Sequence, residues 1–186
     1  MSSLGNVSIS IIVPGRMVFL MWLIFFIEMN MGISLSIFGI LPREPIGLLG
    51  VLFAPLIHGS VVHLVSNTIP LLFLGTTLYY FYGKLAQKVF LYCYFFTGIL
   101  VWLFARTSFH IGASGLIYGI ASFLFFSGIV RTEFRSLLIS IVVVLAYGGM
   151  VWGILPTIPG ISWESHLFGV LVGAVTAFSF RNKVIA

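Results

Sequence analysis

Charged residues are almost absent from several long apolar stretches of this sequence. Charged side chains make up only 7% of the 186 residues, whereas hydrophobic side chains make up 60%. A soluble domain carries roughly 25% charged residues, which it needs to cover its surface in water. Most of the surface of this chain must therefore face lipid, and the sequence predicts an all-α protein that crosses a membrane several times.

The lengths of the apolar stretches predict six membrane-spanning helices in a single domain over residues 1–186. A helix needs about 20 mostly apolar residues to cross the hydrocarbon core, so six spans leave room only for short connections. The connections hold nearly all the charges, and the chain shows no internal repeat. The predicted spans are residues 17–37, 63–82, 89–104, 112–130, 137–155 and 165–180.

The basic residues orient these spans. With the N-terminus in the cytoplasm, seven of the nine lysines and arginines lie inside, and only Arg43 and Arg106 lie outside. This bias follows the positive-inside rule, so both termini are predicted to be cytoplasmic. The seven inner residues are Arg16, Lys84, Lys88, Arg131, Arg135, Arg181 and Lys183. The net charge of +5 thus reflects topology, and we expect no nucleic-acid partner.

The single cysteine and the N-terminal region limit the kinds of site and the cellular location that the sequence allows. Cys93 is the only cysteine, so the chain can form neither an intrachain disulfide nor a CxxC site. No cleavable signal peptide is expected, because the apolar run after Arg16 is long enough to remain as a span. The compact chain without a transit peptide favours a multi-pass protein of the bacterial cytoplasmic membrane.

Polar side chains gather at the outer ends of three predicted spans. In the predicted topology the second, fourth and sixth spans all begin at the outer face. The polar residues at these three starts are His58, His63, Asn67, Ser114, Ser165 and His166. Hydropathy alone does not require this coincidence, so the topology indicates one polar site in the outer leaflet.

The Gly112-Ala113-Ser114-Gly115 motif opens the fourth span and has two interpretations. Gly115 and Gly119 form a GxxxG pair, which is typical of close packing between membrane helices. Alternatively, Ser114 is a nucleophile in a first helical turn, where free N–H groups and the helix dipole favour negative charge. The motif differs from the GxSxG elbow of soluble hydrolases.

His166 lies near the start of the sixth span. A histidine inside a membrane suggests a functional site, and an interfacial histidine in contact with water is the alternative. His166, Gly169 and Gly173 are spaced by three and four residues, so they share one helical face. Two glycines on this face would let it approach the fourth span and bring His166 within reach of Ser114, as a nucleophile and its base require.

His63 and Asn67 project from one face at the start of the second span. They form either a polar cap for the neighbouring loop or an oxyanion hole. Asparagine and histidine donors beside a backbone N–H stabilise a tetrahedral oxyanion, and one such donor is worth about 3 kcal/mol of barrier. His58 is predicted to be structural and to steady the entry into this span.

The four acidic residues are all glutamates, so a Ser-His-Asp triad is impossible. Serine chemistry would have to use a Ser-His dyad, with Tyr118 as an aromatic support one turn after Ser114. Zinc bound by converging histidines is an alternative, but the sequence has no HExxH motif and no glutamate at a matching spacing. We therefore predict no metal at this site. Glu28, deep in the first span, is predicted to be a structural hydrogen-bond partner.

Taken in order, these elements resemble the rhomboid family of intramembrane serine proteases. The resemblance covers about residues 17–181 and rests on His58 with His63-x-x-x-Asn67, on Gly112-Ala113-Ser114-Gly115 with Tyr118, and on His166-x-x-Gly169-x-x-x-Gly173. It implies a six-helix bundle with a water-filled cavity below the outer membrane surface. It also implies that the partners are the lipid bilayer and membrane proteins whose transmembrane segments are cut near their outer end.

The resemblance assigns the roles of the site residues. Ser114 is implied to be the nucleophile and His166 the base, with His63, Asn67 and the Ser114 N–H as the oxyanion hole. Tyr118 is implied to pack on the His166 ring. Many bacterial members carry a Trp-Arg pair in the first outer loop, where this sequence has Arg43-Glu44.

Two other functions are open at this point. A rhomboid-like pseudoprotease would bind membrane clients without cutting them, but such proteins lose the serine or the histidine, and this chain keeps both. A small channel or transporter would show polar groups through the full membrane thickness or two related halves.

Overall fold

The computed structural model describes residues 6–157 and 160–183, and these residues form a helical bundle without β-strands. The helices are α1 (Val7–Ser10), α2 (Ile12–Met31), α3 (Gly47–Phe53), α4 (Val61–Phe104), α5 (Ser114–Val130), α6 (Phe134–Tyr147) and α7 (Trp163–Ser179). Short 3-10 helices occupy Ser36–Phe38, Ala54–Leu56 and Gly148–Ile154. We call the last of these the 3-10 segment.

Helix α4 contains two antiparallel halves. Gly83 has φ 49° and ψ −126°, which interrupts the helix between residues 61–82 and 84–104. The Tyr79 and Phe90 rings lie 6.0 Å apart, and the Tyr79 hydroxyl donates to Gln87 Oε1. In a straight helix, residues 79 and 90 would be about 16 Å apart along the axis. The chain therefore turns back at Gly83, where the sequence predicts the connection between the second and third spans.

Helix α2 is offset from the predicted first span at residues 17–37. It ends at Met31 because Gly32 adopts a left-handed conformation with φ 61° and closes the helix. Apolar residues continue after Gly32, so hydropathy extended the span too far. Glu28 consequently lies one turn before the helix end rather than deep in a span, and its Oε1 accepts a hydrogen bond from Leu35 N at 2.6 Å.

The predicted fifth span, residues 137–155, changes helix type near its outer end. Residues up to Tyr147 are α-helical, and the 3-10 segment follows at two consecutive glycines. Glycine costs about 1 kcal/mol relative to alanine in an α-helix, so this pair weakens the α-helical conformation. The tighter winding redirects the backbone carbonyls of residues 148–154.

Helix α5 forms the centre of the bundle and packs most closely on α7. A side chain at Gly169 would collide with the Gly115 carbonyl, and one at Gly173 would collide with the Gly119 carbonyl. The two glycine pairs therefore let the backbones of α5 and α7 touch, and the second pair lies one turn below the first. The Ser122 hydroxyl adds a hydrogen bond to Val170 O at 2.7 Å.

The outer surface of the bundle is apolar. Large hydrophobic side chains such as Val62, Phe134 and Leu145 are exposed at 79%, 72% and 81%, which is typical of a surface that faces lipid rather than water. In the part of the chain that the structure describes, three helical stretches are long and apolar enough to cross a membrane: Ile12–Met31, Val61–Phe104 and Phe134–Ile154. The fold-back at Gly83 divides the longest of them into two.

Arginines join the ends of the helices. Arg131 is buried and donates to the Phe180 carbonyl at 2.6 Å and to the Lys183 carbonyl at 3.1 Å, so it caps the C-terminal end of α7. At the other side, Arg43 donates to the Ala105 carbonyl at 2.8 Å. The first loop, which has Arg43-Glu44 where a Trp-Arg pair is common, is thus anchored to the end of α4.

Candidate active site

Ser114 and His166 are in hydrogen-bond contact. Ser114 is the first residue of α5, and His166 lies in the first turn of α7. The Ser114 Oγ lies 2.8 Å from His166 Nε2. Gly115 follows Ser114 directly and Gly169 lies one turn after His166, so the contact between these glycines holds the two helices close enough for the side chains to meet. This is the contact that a nucleophile and its general base require.

The second imidazole nitrogen of His166 faces a backbone carbonyl. His166 Nδ1 lies 2.8 Å from the oxygen of Gly153, in the 3-10 segment. A carbonyl can only accept a hydrogen bond, so Nδ1 must carry the proton and Nε2 must accept from the Ser114 hydroxyl. The pair is therefore arranged for proton transfer from serine to histidine.

Tyr118 supports the imidazole from one side. Its ring is stacked on that of His166, with centroids 4.1 Å apart and an interplanar angle of 7°. Its hydroxyl donates to the Met150 carbonyl at 2.7 Å. Tyr118 thus contacts both the histidine and the 3-10 segment.

His63 and Asn67 face Ser114 from the first half of α4. Ser60 caps this helix by accepting from the His63 N–H, so the helix begins just before the two residues. Asn67 uses one amide hydrogen on the His63 carbonyl at 2.8 Å, which leaves its second hydrogen for another acceptor. Both side chains line the cavity at Ser114.

Gly112 closes the loop before Ser114. Its φ of 101° is rarely adopted by residues with a side chain, and a Cβ there would lie 2.5 Å from His63 Nε2. Its N–H donates to the Ala54 carbonyl at 2.8 Å. Glycine at this position lets the loop pass directly beside the His63 ring.

A cavity of about 640 Å³ joins these groups. Ser114 and His166 line it together with His63, Asn67 and Tyr118. Its remaining walls include residues of α4, of the loops before α4 and α5, and of the region from Tyr147 to Ser162. The volume is sufficient for a short stretch of extended peptide beside the serine.

His58 lies behind His63 rather than in the cavity. The ring is buried and packs edge-on against His63, with centroids 4.9 Å apart. Burial, together with the neighbouring His63, lowers the pKa of His58 to about 4. His58 is thus neutral at physiological pH and acts as a packing residue.

A polar network that the sequence did not predict lies beside the pair. His110 is buried, and its Nδ1 lies 2.5 Å from Ser162 Oγ, while its Nε2 faces the Arg106 carbonyl at 3.0 Å. Burial lowers the pKa of His110, and the hydrogen bond to Arg106 opposes this shift. Ser162 Oγ also lies 2.6 Å from Ser165 Oγ. The network joins the α4–α5 loop to the start of α7.

Glu164 belongs to the same junction. Its buried carboxylate pairs with the Arg106 guanidinium at 3.3 Å. Glu164 therefore neutralises an arginine, while the Gly153 carbonyl occupies the Nδ1 side of His166. Within residues 6–157 and 160–183, no three side chains of the metal-binding types cluster together.

Comparisons with known proteins place this cavity within a known family domain. A model of the Rhomboid domain matches residues 46–183, a range that includes the cavity lining. An uncharacterised protein of Mycobacterium tuberculosis is 36% identical over 170 residues, which cover 86% of this chain and 70% of that protein. An uncharacterised protein of Mycobacterium leprae is 38% identical over 141 residues, covering 69% and 55%. RHOMBOID-like protein 4 of Arabidopsis thaliana is 28% identical over 124 residues, covering 66% and 31%.

Proposed function

We propose, since this chain belongs to the rhomboid family, that it is an intramembrane serine endopeptidase. Its substrates would be transmembrane segments of other membrane proteins, cut near their outer end. The observation that carries the proposal is the 2.8 Å contact between Ser114 Oγ and His166 Nε2 in a cavity large enough for peptide. A pseudoprotease has no need of an aligned nucleophile and base.

The proposed reaction uses Ser114 and His166 in two steps. Ser114 Oγ attacks the scissile carbonyl while His166 Nε2 takes its proton, and the resulting imidazolium gives that proton to the leaving amine. Water then attacks the acyl-enzyme, with His166 again acting as base. Hydrolysis by this route needs no cofactor.

The oxyanion of the tetrahedral intermediate would be stabilised by donors around Ser114. The Ser114 N–H, in the first turn of α5, has no acceptor within its own helix. The free hydrogen of Asn67 and the ring of His63 line the same cavity. Donors held in place before the reaction need no reorganisation when charge develops, which is why they lower the barrier.

We further propose the six-span topology with both termini in the cytoplasm. The two halves of α4 would provide spans two and three, and α2, α5, α6 with the 3-10 segment, and α7 would provide the other four. The chain is then a multi-pass protein of a bacterial cytoplasmic membrane, and the site opens toward the outer leaflet.

The decisive experiment compares wild type with Ser114→Ala on a model single-span substrate in detergent and in proteoliposomes. We expect wild type to cut and Ser114→Ala to be inactive, whereas Ser34→Ala, at an exposed serine outside the cavity, should cut normally. A fluorophosphonate probe should label wild type and neither Ser114→Ala nor His166→Ala. Cleavage that survives in Ser114→Ala would refute the proposal, and binding without cleavage by wild type would indicate a pseudoprotease.

A further inference from the structure

The backbone of the 3-10 segment presents a free carbonyl to the histidine. A carbonyl in a 3-10 helix accepts from the N–H three residues later, and in an α-helix from the N–H four residues later. For Gly153 these partners would be residues 156 and 157. Residue 156 is a proline without an N–H, and the Thr157 N–H donates to the Leu155 carbonyl at 2.8 Å. Among the residues that the structure describes, the Gly153 oxygen therefore has no backbone donor that competes with the His166 Nδ1–H.

The segment fits against the pair only because residue 153 is glycine. A Cβ at this position would collide with the Tyr118 hydroxyl and lie 3.1 Å from His166 Nδ1. The Tyr118 hydroxyl in turn donates to the Met150 carbonyl at 2.7 Å. Tyr118 thus stacks on the imidazole and also fixes the position of the segment that carries the Gly153 carbonyl.

We infer that the Gly153 carbonyl is a positioning group that takes the place of a triad carboxylate. Pro156 keeps this carbonyl free because it has no N–H, and the Tyr118–Met150 hydrogen bond fixes the segment that carries it. The inference rests on the proposed serine protease function. The carbonyl selects the Nδ1–H tautomer, which leaves Nε2 free to accept the Ser114 proton. It also stabilises the imidazolium, because a hydrogen bond from a charged donor is stronger than one from a neutral donor.

Two substitutions should weaken this arrangement while Ser114 and His166 themselves stay unchanged. Pro156→Ala restores an N–H that can compete for the Gly153 carbonyl. Tyr118→Phe keeps the ring on the imidazole and removes the hydroxyl that ties the segment. Tyr92→Phe is the matched control, because Tyr92 lies on the partly exposed face of α4, away from the cavity.

The readout is the tautomer of His166, measured by nitrogen-15 NMR of imidazole-labelled protein, with His166→Gln to assign the signal. Wild type should show the Nδ1–H tautomer above the titration range. In Pro156→Ala and in Tyr118→Phe the Nδ1–H tautomer should no longer dominate. Both variants should lower kcat about 10-fold, as loss of one charge-assisted hydrogen bond predicts. Their KM and melting temperature should stay near those of wild type. Tyr92→Phe should leave all four quantities unchanged.

The possible outcomes separate this inference from the proposed function. A wild type that cuts substrate from the Nε2–H tautomer overturns the inference and leaves the protease function intact. Unchanged kcat in both variants also overturns it. The tautomer is read without substrate, so a wild type that has the Nδ1–H tautomer but never cuts refutes the protease function instead.

Discussion

At the scale of single residues, the site depends on groups that have little freedom to move. Asn67 is buried and already holds the His63 carbonyl with one amide hydrogen, so its second hydrogen is fixed in direction. Gly112 has no room for a side chain beside His63. Such preorganisation is what an oxyanion hole requires.

Asn67→Ala should lower kcat about 100-fold with little change in KM, because one oxyanion donor is worth about 3 kcal/mol. The measurement is steady-state cleavage of the single-span substrate. Asn30→Ala is a matched control, since Asn30 makes the same kind of bond to the carbonyl four residues before it, at 2.7 Å, on the exposed end of α2. Equal activity of wild type and Asn67→Ala would remove Asn67 from the oxyanion hole.

The stability of the protein should fall as the pH drops from 6.5 to 4. The pKa of His58 is lowered from 6.5 to about 4 in the fold, so the unfolded chain binds a proton in this window and the folded chain does not. This difference removes up to about 3 kcal/mol from the free energy of unfolding. His110, whose pKa burial also lowers, acts in the same direction.

Thermal unfolding in detergent across this pH range measures the effect. His58→Phe keeps an aromatic ring against His63 and cannot titrate, so its melting temperature should depend less steeply on pH. A wild type and a His58→Phe variant with parallel pH dependence would contradict the assignment to His58.

At the scale of the elements, the contact between α5 and α7 decides whether Ser114 and His166, the proposed nucleophile and base, can meet. Ser114 and His166 stand at the starts of these helices, and the glycine pairs below them set the distance between the backbones. The Arg106–Glu164 ion pair and the His110–Ser162 contact join the loop before α5 to the start of α7. The dyad is therefore positioned by packing on one side and by polar contacts on the other.

Gly169→Ala should reduce both stability and activity. The added methyl group collides with the Gly115 carbonyl, and overpacking of this kind costs about 1–3 kcal/mol. We expect a lower melting temperature and a lower kcat, because the helices must separate at the level of the dyad. Gly15→Ala, in α2 with nothing within 4 Å of the new methyl group, should leave kcat unchanged and should not lower the melting temperature, because alanine favours an α-helix over glycine. A fully active and stable Gly169→Ala variant would show that the contact tolerates widening.

At the scale of the whole molecule, the apolar outer surface and the distribution of basic residues place the bundle in the membrane. The proposed topology puts the α4–α5 loop outside and the turn at Gly83 inside. Cys93 is fully buried, so it leaves the background free for cysteine labelling.

Ser108→Cys and Lys84→Cys test this topology, since both positions are exposed. A membrane-impermeant maleimide should label Ser108→Cys in intact cells and Lys84→Cys only after permeabilisation. The opposite pattern would show that the bundle has the reverse orientation and that the cavity at Ser114 lies on the cytoplasmic side.

The sequence by itself determined that the protein is helical, apolar on its outside and a rhomboid family member. Composition and hydropathy report the average surroundings of each stretch, and motif spacing shows which side chains share a helical face. These signals are local, so they were sufficient to nominate Ser114 and His166 and to locate the turn near Gly83. They failed where a backbone conformation intervened, as at Gly32, because apolar residues continue past the helix end.

Only the tertiary structure decided what surrounds the candidate dyad. The carbonyl of Gly153 faces His166 because a proline three residues later and a 3-10 winding leave it free. A backbone oxygen has no side-chain identity, so no sequence pattern could mark it. The His110–Ser162 contact likewise joins residues 52 positions apart. Long-range contacts of this kind depend on how the helices pack, and hydropathy along the chain carries no information about them.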